Sequence, residues 1–358
     1  MIKLGVGVIG ADPRGFGERA HIPAVISSSR LRLVAVCTAH DETAQSAARR
    51  HGLSRWYSDA GEMALDSEVD LVVIAVRPRF HLELAEAAVR AGKPVYCEWP
   101  LARTTEEAVR MAQLVQQAGV ANAVGLQGRF APPLAEMRRT IEQGRIGTPL
   151  SFEISLLQEP FQVHSDRLWL TRSDEASGAL HVATAHIMDA LQDVLGSVTR
   201  VSAITRTLIT ESVLADAQGS FAWETPDTVL CLAEVGDGIP GTVEVSNVTR
   251  PPLGFTFRVL GDDGQVVARA PRYFQFSPIE LSVGRPTGEF EVLAVTGDER
   301  DDNDPATNVG RALDEFAAAI ATSAGFSPDF QDGVDLHRLV DAIARSSAAD
   351  SDWQNLPW

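Results

Sequence analysis

The chain of 358 residues is long enough for two domains, and its 45% hydrophobic and 22% charged residues are ordinary for a globular protein. Its 48 acidic residues outnumber the 31 basic ones, and the resulting formal charge of −17 repels nucleic acid. The longest apolar run, residues 71–76, is far shorter than the roughly 20 residues that cross a membrane, so we expect neither a nucleic-acid partner nor a membrane.

Strands and helices alternate over the first third of the chain. The strands are continuous apolar runs, as in sheets that are buried on both faces. The predicted strands are 4–9, 31–37, 69–76, 94–97 and 122–126, and the predicted helices are 18–28, 41–52, 82–91 and 104–118. This alternation predicts a parallel sheet covered by helices, a Rossmann domain over residues 1–124.

The pattern changes after residue 125. Period-two stretches such as residues 242–248 indicate strands with one exposed face. The predicted elements are a helix over 132–143, a strand over 150–157, a helix over 177–195, successive strands over 198–295, and helices over 311–322 and 332–346. We therefore predict an α/β fold in which an α+β domain over 125–358, with an open and largely antiparallel sheet, follows the Rossmann domain. Its C-terminal helices are expected to pack back toward the first domain.

A glycine-rich loop after the first strand suits the pyrophosphate of a dinucleotide. Glycines let the backbone approach the phosphates, and the start of the following helix favours an anion. The spacing of Gly10, Gly15 and Gly17 is looser than the GxGxxG pattern, so a plain tight turn is the alternative. The predicted cofactor contacts in this loop are Gly10, Ala11, Arg14, Gly15 and Phe16.

The end of the second strand predicts which dinucleotide is preferred. An acidic residue there would bind the ribose 2′-hydroxyl of NAD and repel the 2′-phosphate of NADP. The sequence has Thr38 and His40 at this point, no acid before Asp41, and Arg14 in the glycine loop. We therefore predict NADP in preference to NAD. The alternative is that Thr38 and His40 only cap the helix that follows.

Several motifs resemble the Gfo/Idh/MocA family (glucose–fructose oxidoreductase and inositol dehydrogenase), over essentially the whole chain. They are Gly10 with His21-Ile22-Pro23, residues 76–81 (VRPRFH), residues 98–102 (EWPLA), and Arg129 with residues 144–147 (GRIG). The long loop over 10–17, the Glu98-Trp99-Pro100 tripeptide, residues 126–129 (LQGR) and Thr184-Ala185-His186 are similar to the branch that contains the fungal galactose-regulon repressor and its bacterial relatives.

The resemblance implies an NAD(P)-dependent oxidoreductase with a small-molecule substrate, assembled as a homodimer or homotetramer. It adds a second group of expected cofactor contacts: Val76, Arg77, Pro78, His81, Glu98, Trp99 and Gln127.

The expected proton-handling groups of the family are only partly present. Sugar-oxidising members carry a Lys after the Glu, and an Asp four residues before a His on one helix, whereas this chain has Trp99 and Val182 at those positions and keeps His186. We predict that His186 transfers the proton, that Asp189 on the same helical face orients or charges its ring, and that His181 is a second candidate. Trp99 is expected to shape the pocket beside the nicotinamide. The alternatives are a structural His186 and a Trp99 that belongs to the core.

A polar loop after residue 157 is expected to cover the substrate. His164, Arg167 and Arg172 are its predicted substrate contacts, the alternative being ordinary solvated charges. No histidine pair has metal-ligand spacing and the three cysteines are far apart, so no metal is predicted. The first residues lack a signal-peptide layout, and we expect a cytoplasmic protein.

These observations predict an oxidoreductase that transfers hydride between a nicotinamide cofactor and a small carbonyl, imine or sugar-like substrate. The missing Lys and Asp leave a second hypothesis, a non-catalytic dinucleotide-binding sensor or regulator. A third is a non-redox lyase or hydrolase that uses bound NAD internally. A sensor needs an exposed surface for its partner, and the sequence has no obvious apolar surface run, which favours the enzyme.

Overall fold

The computed structural model of the protein describes residues 3–295 and 297–357. The chain divides into two compact units: one contains residues up to 127 together with 304–335, and the other contains 128–303 together with the residues from 336 onward. The first unit therefore extends slightly beyond the predicted boundary at 124. It also includes a later segment, 304–335, that the sequence-based division assigns to the second domain.

The first unit contains a six-stranded parallel sheet in the order β3-β2-β1-β4-β5-β6. Its strands are β1 (Leu4–Ile9), β2 (Leu31–Cys37), β3 (Trp56–Tyr57), β4 (Leu71–Ile74), β5 (Val95–Glu98) and β6 (Asn122–Gly125). Its helices up to that point are α1 (Ile22–Ser27), α2 (Asp41–Arg50), α3 (Ala60–Leu65), α4 (His81–Arg90) and α5 (Thr105–Ala118). This strand order is that of a dinucleotide-binding Rossmann sheet and confirms the predicted fold. The order reverses between β1 and β4, where such sheets bind their ligands.

Local signals explain most of these elements. Helix α5 begins where the Thr104 side chain accepts a hydrogen bond from the Glu107 amide, and it ends at Gly119 with φ of +64°. Asp59 caps α3 in the same way by accepting from the Glu62 amide. The sequence analysis missed α3 and β3, because a six-residue helix and a two-residue strand are too short to show a period.

The second unit is built on a nine-stranded sheet and two separate short strands. In chain order its elements are α6 (Pro132–Glu142), β7 (Pro149–Leu157), α7 (Ala185–Leu195), β8 (Val198–Arg206), β9 (Glu211–Val213), β10 (Ser220–Ala222), β11 (Thr228–Val235), β12 (Ile239–Ser246), β13 (Gly254–Gly261), β14 (Gly264–Ala270), β15 (Glu280–Gly284) and β16 (Phe290–Val292). Strands β9 and β10 form a hairpin of their own.

The last elements are α8 (Ala306–Thr322), α9 (Phe330–Ala348) and β17 (Gln354–Asn355). Helix α8 packs against α1 and brings Phe316 to 6.5 Å from the ring of Tyr96, and the Ser28 hydroxyl donates to Asp314. These contacts explain why residues 304–335 belong to the first unit. Helix α9 begins in the first unit and ends in the second.

The large sheet has the order β16-β15-β14-β13-β7-β12-β11-β8-β17. Every neighbouring pair is antiparallel except β7 and β12, which confirms the predicted largely antiparallel sheet. Burial alternates along β11: Val229 and Cys231 are buried, whereas Leu230 and Leu232 are 43% and 49% exposed. The exposed face carries a groove of about 450 Å³ lined by residues of β7, β8, β11 and β12.

Candidate functional site

The loop after β1 is a tight turn that admits only glycine at two positions. Gly10 has φ of +111°, and a Cβ there would lie 2.3 Å from the Ala75 carbonyl oxygen. A Cβ at Gly17 would lie 2.4 Å from the Gly10 oxygen. The helix that starts at Gly17 therefore approaches the ends of β1 and β4 closely, which is the arrangement that fits a dinucleotide phosphate.

The other predicted contacts of this loop differ in exposure. Ala11 is buried and Arg14 is exposed, while Gly15 and Phe16 are half-buried. The Phe16 ring meets the edge of the His21 ring at a centroid distance of 5.7 Å. Arg14 is thus the basic residue of this loop, and it is exposed to solvent.

The segment after β4 contains four predicted cofactor contacts. Val76 and Arg77 are half-buried and lie at the carboxyl edge of the sheet, and Pro78 is buried. His81 is fully buried, and its two ring nitrogens lie 3.1 Å from the Val76 oxygen and 3.2 Å from the Leu101 oxygen. Burial lowers the pKa of His81. Because both nitrogens are engaged by backbone carbonyls, the ring holds two loops together, and its predicted contact with the cofactor is not supported by this geometry.

Glu98, the last residue of β5, forms a buried hydrogen bond that the sequence analysis did not anticipate. Its Oε1 lies 2.8 Å from Nε2 of His21, and both residues are buried. Gly125 on β6 makes room for the carboxylate, since a Cβ there would lie 2.5 Å from the same oxygen. His21 was noted in a motif but given no role. The pairing is formed between residues 77 positions apart, and no spacing rule reveals it.

Trp99 and Gln127 follow β5 and β6 at the same edge of the sheet. Trp99 is 6% exposed, consistent with the core alternative as well as with a pocket wall. Gln127 is buried, and its amide oxygen has no hydrogen-bond partner among the residues that the structure describes. A buried amide oxygen in this state is suited to a ligand that donates a hydrogen bond.

The residues after β2 do not form a helix cap. The Thr38 hydroxyl donates to the His40 carbonyl and lies 2.5 Å from the Thr43 hydroxyl. His40 occupies the cap position of α2 but makes no side-chain capping bond, and its side chain is exposed. The first acid, Asp41, accepts a hydrogen bond from Ser58. The capping alternative therefore fails for His40, whose imidazole stays available to a ligand.

Both lysines have structural roles. Lys3 donates to the Ser28 carbonyl at 2.6 Å, and Lys93 donates to the carbonyls of Val69 and Asp66. Lys93 precedes β5, at the opposite edge of the sheet from Glu98 and Trp99. Neither lysine can replace the proton-handling Lys of the family.

In the second unit, His186 lies in the first turn of α7. The chain reaches it through Gly178, with φ of +81°, and through a π-helical segment, Ala179–Thr184. Such segments are frequent at functional sites. His186 is 5% exposed, and burial lowers its pKa to about 4, so the ring is neutral at pH 7. Its Nδ1 has no hydrogen-bond partner within the described part of the chain.

The predicted partner of His186 is engaged elsewhere. Asp189 accepts a hydrogen bond from Nε of Arg129 at 2.7 Å, with a second guanidinium nitrogen 2.6 Å from the same oxygen. That Asp189 orients or charges the His186 ring stays a prediction; burial lowers the pKa of the ring, which does not favour the charging role. Burial also lowers the pKa of His181, opposed by the Ser177 backbone and the charge of Asp341.

The predicted substrate residues lie in a loop that is fastened to the β9–β10 hairpin. Asp216 accepts from the amide and hydroxyl of Ser165, and lies 3.7 Å from Nδ1 of His164. Arg172 is bonded to Asp174 at 3.1 Å. His164 and Arg172 are both more than half exposed, whereas Arg167 is half-buried. The exposed pair fits the alternative of solvated loop charges better than a role in binding substrate.

Among the described residues there is no group of three His, Cys, Asp or Glu side chains that could hold a metal ion. The three cysteines are free thiols and buried. The helices that the structure describes include none that is long and apolar enough to cross a membrane.

The fold and the glycine loop agree with the protein family whose models match the sequence. Residues 4–126 match the Gfo/Idh/MocA oxidoreductase family with its NAD-binding Rossmann fold, and residues 134–267 match the C-terminal domain of the same family. The chain belongs to the Gfo/Idh/MocA oxidoreductase family.

Individual relatives carry oxidoreductase names. A dehydrogenase of Aspergillus oryzae, aclE, is 30% identical over 97% of this chain and 96% of its own length. The levoglucosan dehydrogenase of Pseudarthrobacter phenanthrenivorans is 29% identical over 100% of this chain and 99% of its own.

Solved structures agree in fold. A levoglucosan dehydrogenase in complex with NADH and levoglucosan has a TM-score of 0.86 at 28% identity, covering 99% of this chain and 100% of the other. A super-repressor mutant of Gal80p from Saccharomyces cerevisiae reaches a TM-score of 0.89 at 20% identity, covering 99% of this chain and 98% of the other. The second likeness concerns the fold alone.

Proposed function

We propose that the protein is an NAD(P)-dependent oxidoreductase that acts on a small sugar-like substrate, or on a related carbonyl or imine. The observation that carries this proposal is the His186 imidazole, which is buried and neutral, and whose Nδ1 has no hydrogen-bond partner among the described residues. Relatives named inositol 2-dehydrogenase, D-xylose dehydrogenase and 1,5-anhydro-D-fructose reductase support the substrate class.

The role of His186 follows from its protonation state. A neutral imidazole can take a proton from a substrate hydroxyl as that hydroxyl becomes a carbonyl. The neutral state of His186 therefore favours oxidation of the substrate. A bound nicotinamide supplies the hydride chemistry. Trp99, which cannot exchange a proton at neutral pH, would offer an aromatic face to the nicotinamide. The residues that would hold the dinucleotide are those of the glycine loop, with Gln127 and Glu98.

We propose NADP as the preferred cofactor because no acid lies in the segment 38–40, where Thr38 and the exposed His40 stand. NADH bound to the levoglucosan dehydrogenase supports a nicotinamide dinucleotide in general. Dissociation constants for NADP and NAD, measured by quenching of tryptophan fluorescence, test the preference. Tighter binding of NAD would contradict it.

Turnover tests the activity. The purified protein is incubated with each cofactor and a panel of inositols, pentoses, hexoses and anhydro-sugars, and reduced cofactor is followed at its absorbance maximum. We expect oxidation of at least one substrate, and a loss of about 10²-fold or more in kcat for His186→Gln, the usual contribution of a general base. His181→Gln tests the second candidate, and a smaller loss there than in His186→Gln is expected. Equal rates in the His186→Gln variant would contradict the mechanism.

A second function is favoured by one specific feature. Trp99 and Val182 replace the Lys and Asp that sugar-oxidising members of the family use. A protein of this kind could bind the dinucleotide and report it to a partner without turnover. Tight cofactor binding together with no oxidation or reduction of any substrate in the panel would favour this sensor.

We further propose a homo-oligomer formed through the open face of the large sheet. The groove on that face is bordered by Ile204, Leu230 and Leu232, each at least 40% exposed. An exposed apolar face of this kind is typical of a surface that is buried in an assembly.

A further inference from the structure

The buried salt bridge between Arg129 and Asp189 lies next to His186, the proposed proton-transfer residue. Asp189 is 1% exposed, and its Oδ1 is held by two nitrogens of Arg129 at 2.7 and 2.6 Å. A buried carboxylate costs several kcal/mol unless a charge compensates it. Arg129 therefore supplies the positive charge that allows Asp189 to stay ionised inside the unit.

The position of Arg129 is fixed by the backbone around it. Residues Gln127–Phe130 form a 3₁₀ turn directly after β6. Gly128 in this turn lies against the ring of Phe274, and a Cβ there would lie 2.5 Å from a ring carbon. The guanidinium is thus presented to α7 from a 3₁₀ turn that packs against Phe274.

Asp189 and His186 are three residues apart on α7, so their side chains are neighbours on the helix surface, with about 5–6 Å between Cβ atoms. An uncompensated carboxylate at that distance would favour the charged imidazolium. The structure shows the opposite direction: burial lowers the pKa of His186 to about 4. Burial is the cause of that lowered pKa, and a carboxylate that is paired with Arg129 does not oppose it.

The other charges near α7 have partners of their own. Arg138 donates to Asp193 at 2.8 Å, and Arg139 pairs with Glu136. The titratable and charged side chains on α6, on α7 beyond Asp189 and on the π-helical segment are Glu136, Arg138, Arg139, Glu142, Asp193 and His181. The Arg138–Asp193 pair is a second Arg–Asp contact of α7, more exposed than Arg129–Asp189 and two helical turns from His186, so it serves as the control.

We propose that Arg129 is a positioning residue of the proton-transfer site: by pairing with Asp189 it cancels the carboxylate next to His186 and keeps the imidazole in the neutral form that accepts a proton. The inference deepens the proposed function. It rests on that function only in assigning proton transfer to His186. Arg129 itself acts through Asp189 and His186.

The test is the titration of His186, followed by NMR in protein with ¹³C-labelled histidine, and assigned by the signal lost in His186→Gln. In Arg129→Met the midpoint should rise by about one unit or more, the usual effect of a nearby opposite charge. It should stay at the wild-type value in Arg138→Met. In the double variant Arg129→Met/Asp189→Asn, which removes both charges, it should return to the wild-type value.

Arg129→Gln keeps a hydrogen-bond donor for Asp189 while removing the charge, so it carries the same test if Arg129→Met does not fold. A folded variant of either kind with an unchanged midpoint overturns the proposal, and so does an equal shift in Arg138→Met. The titration needs no substrate. A shifted midpoint in a protein without turnover would sink the proposed function and leave this inference in place, whereas an unshifted midpoint in an active enzyme would sink only the inference.

Discussion

Replacing His186 by glutamine should make the unfolding free energy of the protein fall less at acidic pH. Burial lowers the pKa of His186 to about 4, whereas an unfolded chain would titrate near its ordinary value of 6.5. As the pH falls below 6.5 the unfolded chain binds a proton that the folded protein refuses, so the unfolding free energy decreases until the pH reaches about 4. The penalty is close to zero at pH 7.5 and about 2.5 kcal/mol at pH 4.5, using 1.36 kcal/mol per unit of pKa difference.

The measurement is urea unfolding at pH 7.5 and pH 4.5, followed by circular dichroism, with the two units fitted as separate transitions if they separate. Between these two pH values the wild-type protein should lose about 2.5 kcal/mol more than His186→Gln does. His40→Gln, which changes an exposed histidine, should follow the wild type. The lowered pKa values of His81 and His181 add to the decline in all three proteins and cancel in the comparison. Parallel declines of wild type and His186→Gln would refute the reasoning.

Three further predictions concern packing and assembly. Gly125→Ala places a Cβ 2.5 Å from Oε1 of Glu98 and should lower the unfolding free energy by about 1–3 kcal/mol. Gly325→Ala, where a Cβ meets open space, should leave the unfolding free energy unchanged, and thermal unfolding of both variants checks this. If the proposed homo-oligomer forms through the open sheet face, light scattering should give an oligomer mass for the wild type and a monomer mass for Leu232→Glu at unchanged helix content. An unchanged oligomer mass in Leu232→Glu would exclude this face as the interface. Asp216→Ala removes two hydrogen bonds from the loop that precedes α7 and should destabilise that loop by about 1 kcal/mol. Amide exchange should become faster at Ser165 and stay unchanged in the strands of the sheet.

The candidate site could be predicted from the sequence only where one element supplies it. The glycine loop, the Glu98-Trp99 pair after β5 and His186 on its helix were all identified from motifs, and the structure places the first two groups at the carboxyl edge of the parallel sheet. The three-residue spacing of His186 and Asp189 on one helix predicts that they are neighbours, but it does not reveal a second partner of the carboxylate. Arg129, 60 positions earlier, takes that carboxylate.

The same limit applies to His21 and to the predicted substrate residues. His21 meets Glu98 because β1 and β5 belong to one sheet, and Gly125 leaves the space between them. His164 and Arg172 are drawn to carboxylates of their own surroundings, Asp216 and Asp174. Arg129 belongs to two of the motifs, residues 126–129 and Arg129 with residues 144–147, and neither motif indicates its partner.

By itself the sequence determined the two folds, since an unalternated apolar strand can only be buried on both faces and an alternating one presents a face to each side of its sheet. The sequence analysis expected the C-terminal helices to pack toward the first domain, but tertiary structure alone decided that the segment which joins the first unit is 304–335, and that Asp189 pairs with Arg129. The physical reason is common to both. Periodicity shows which residues of one element share a face. Pairing between distant elements depends on where the chain places each face and on which partners lie within reach.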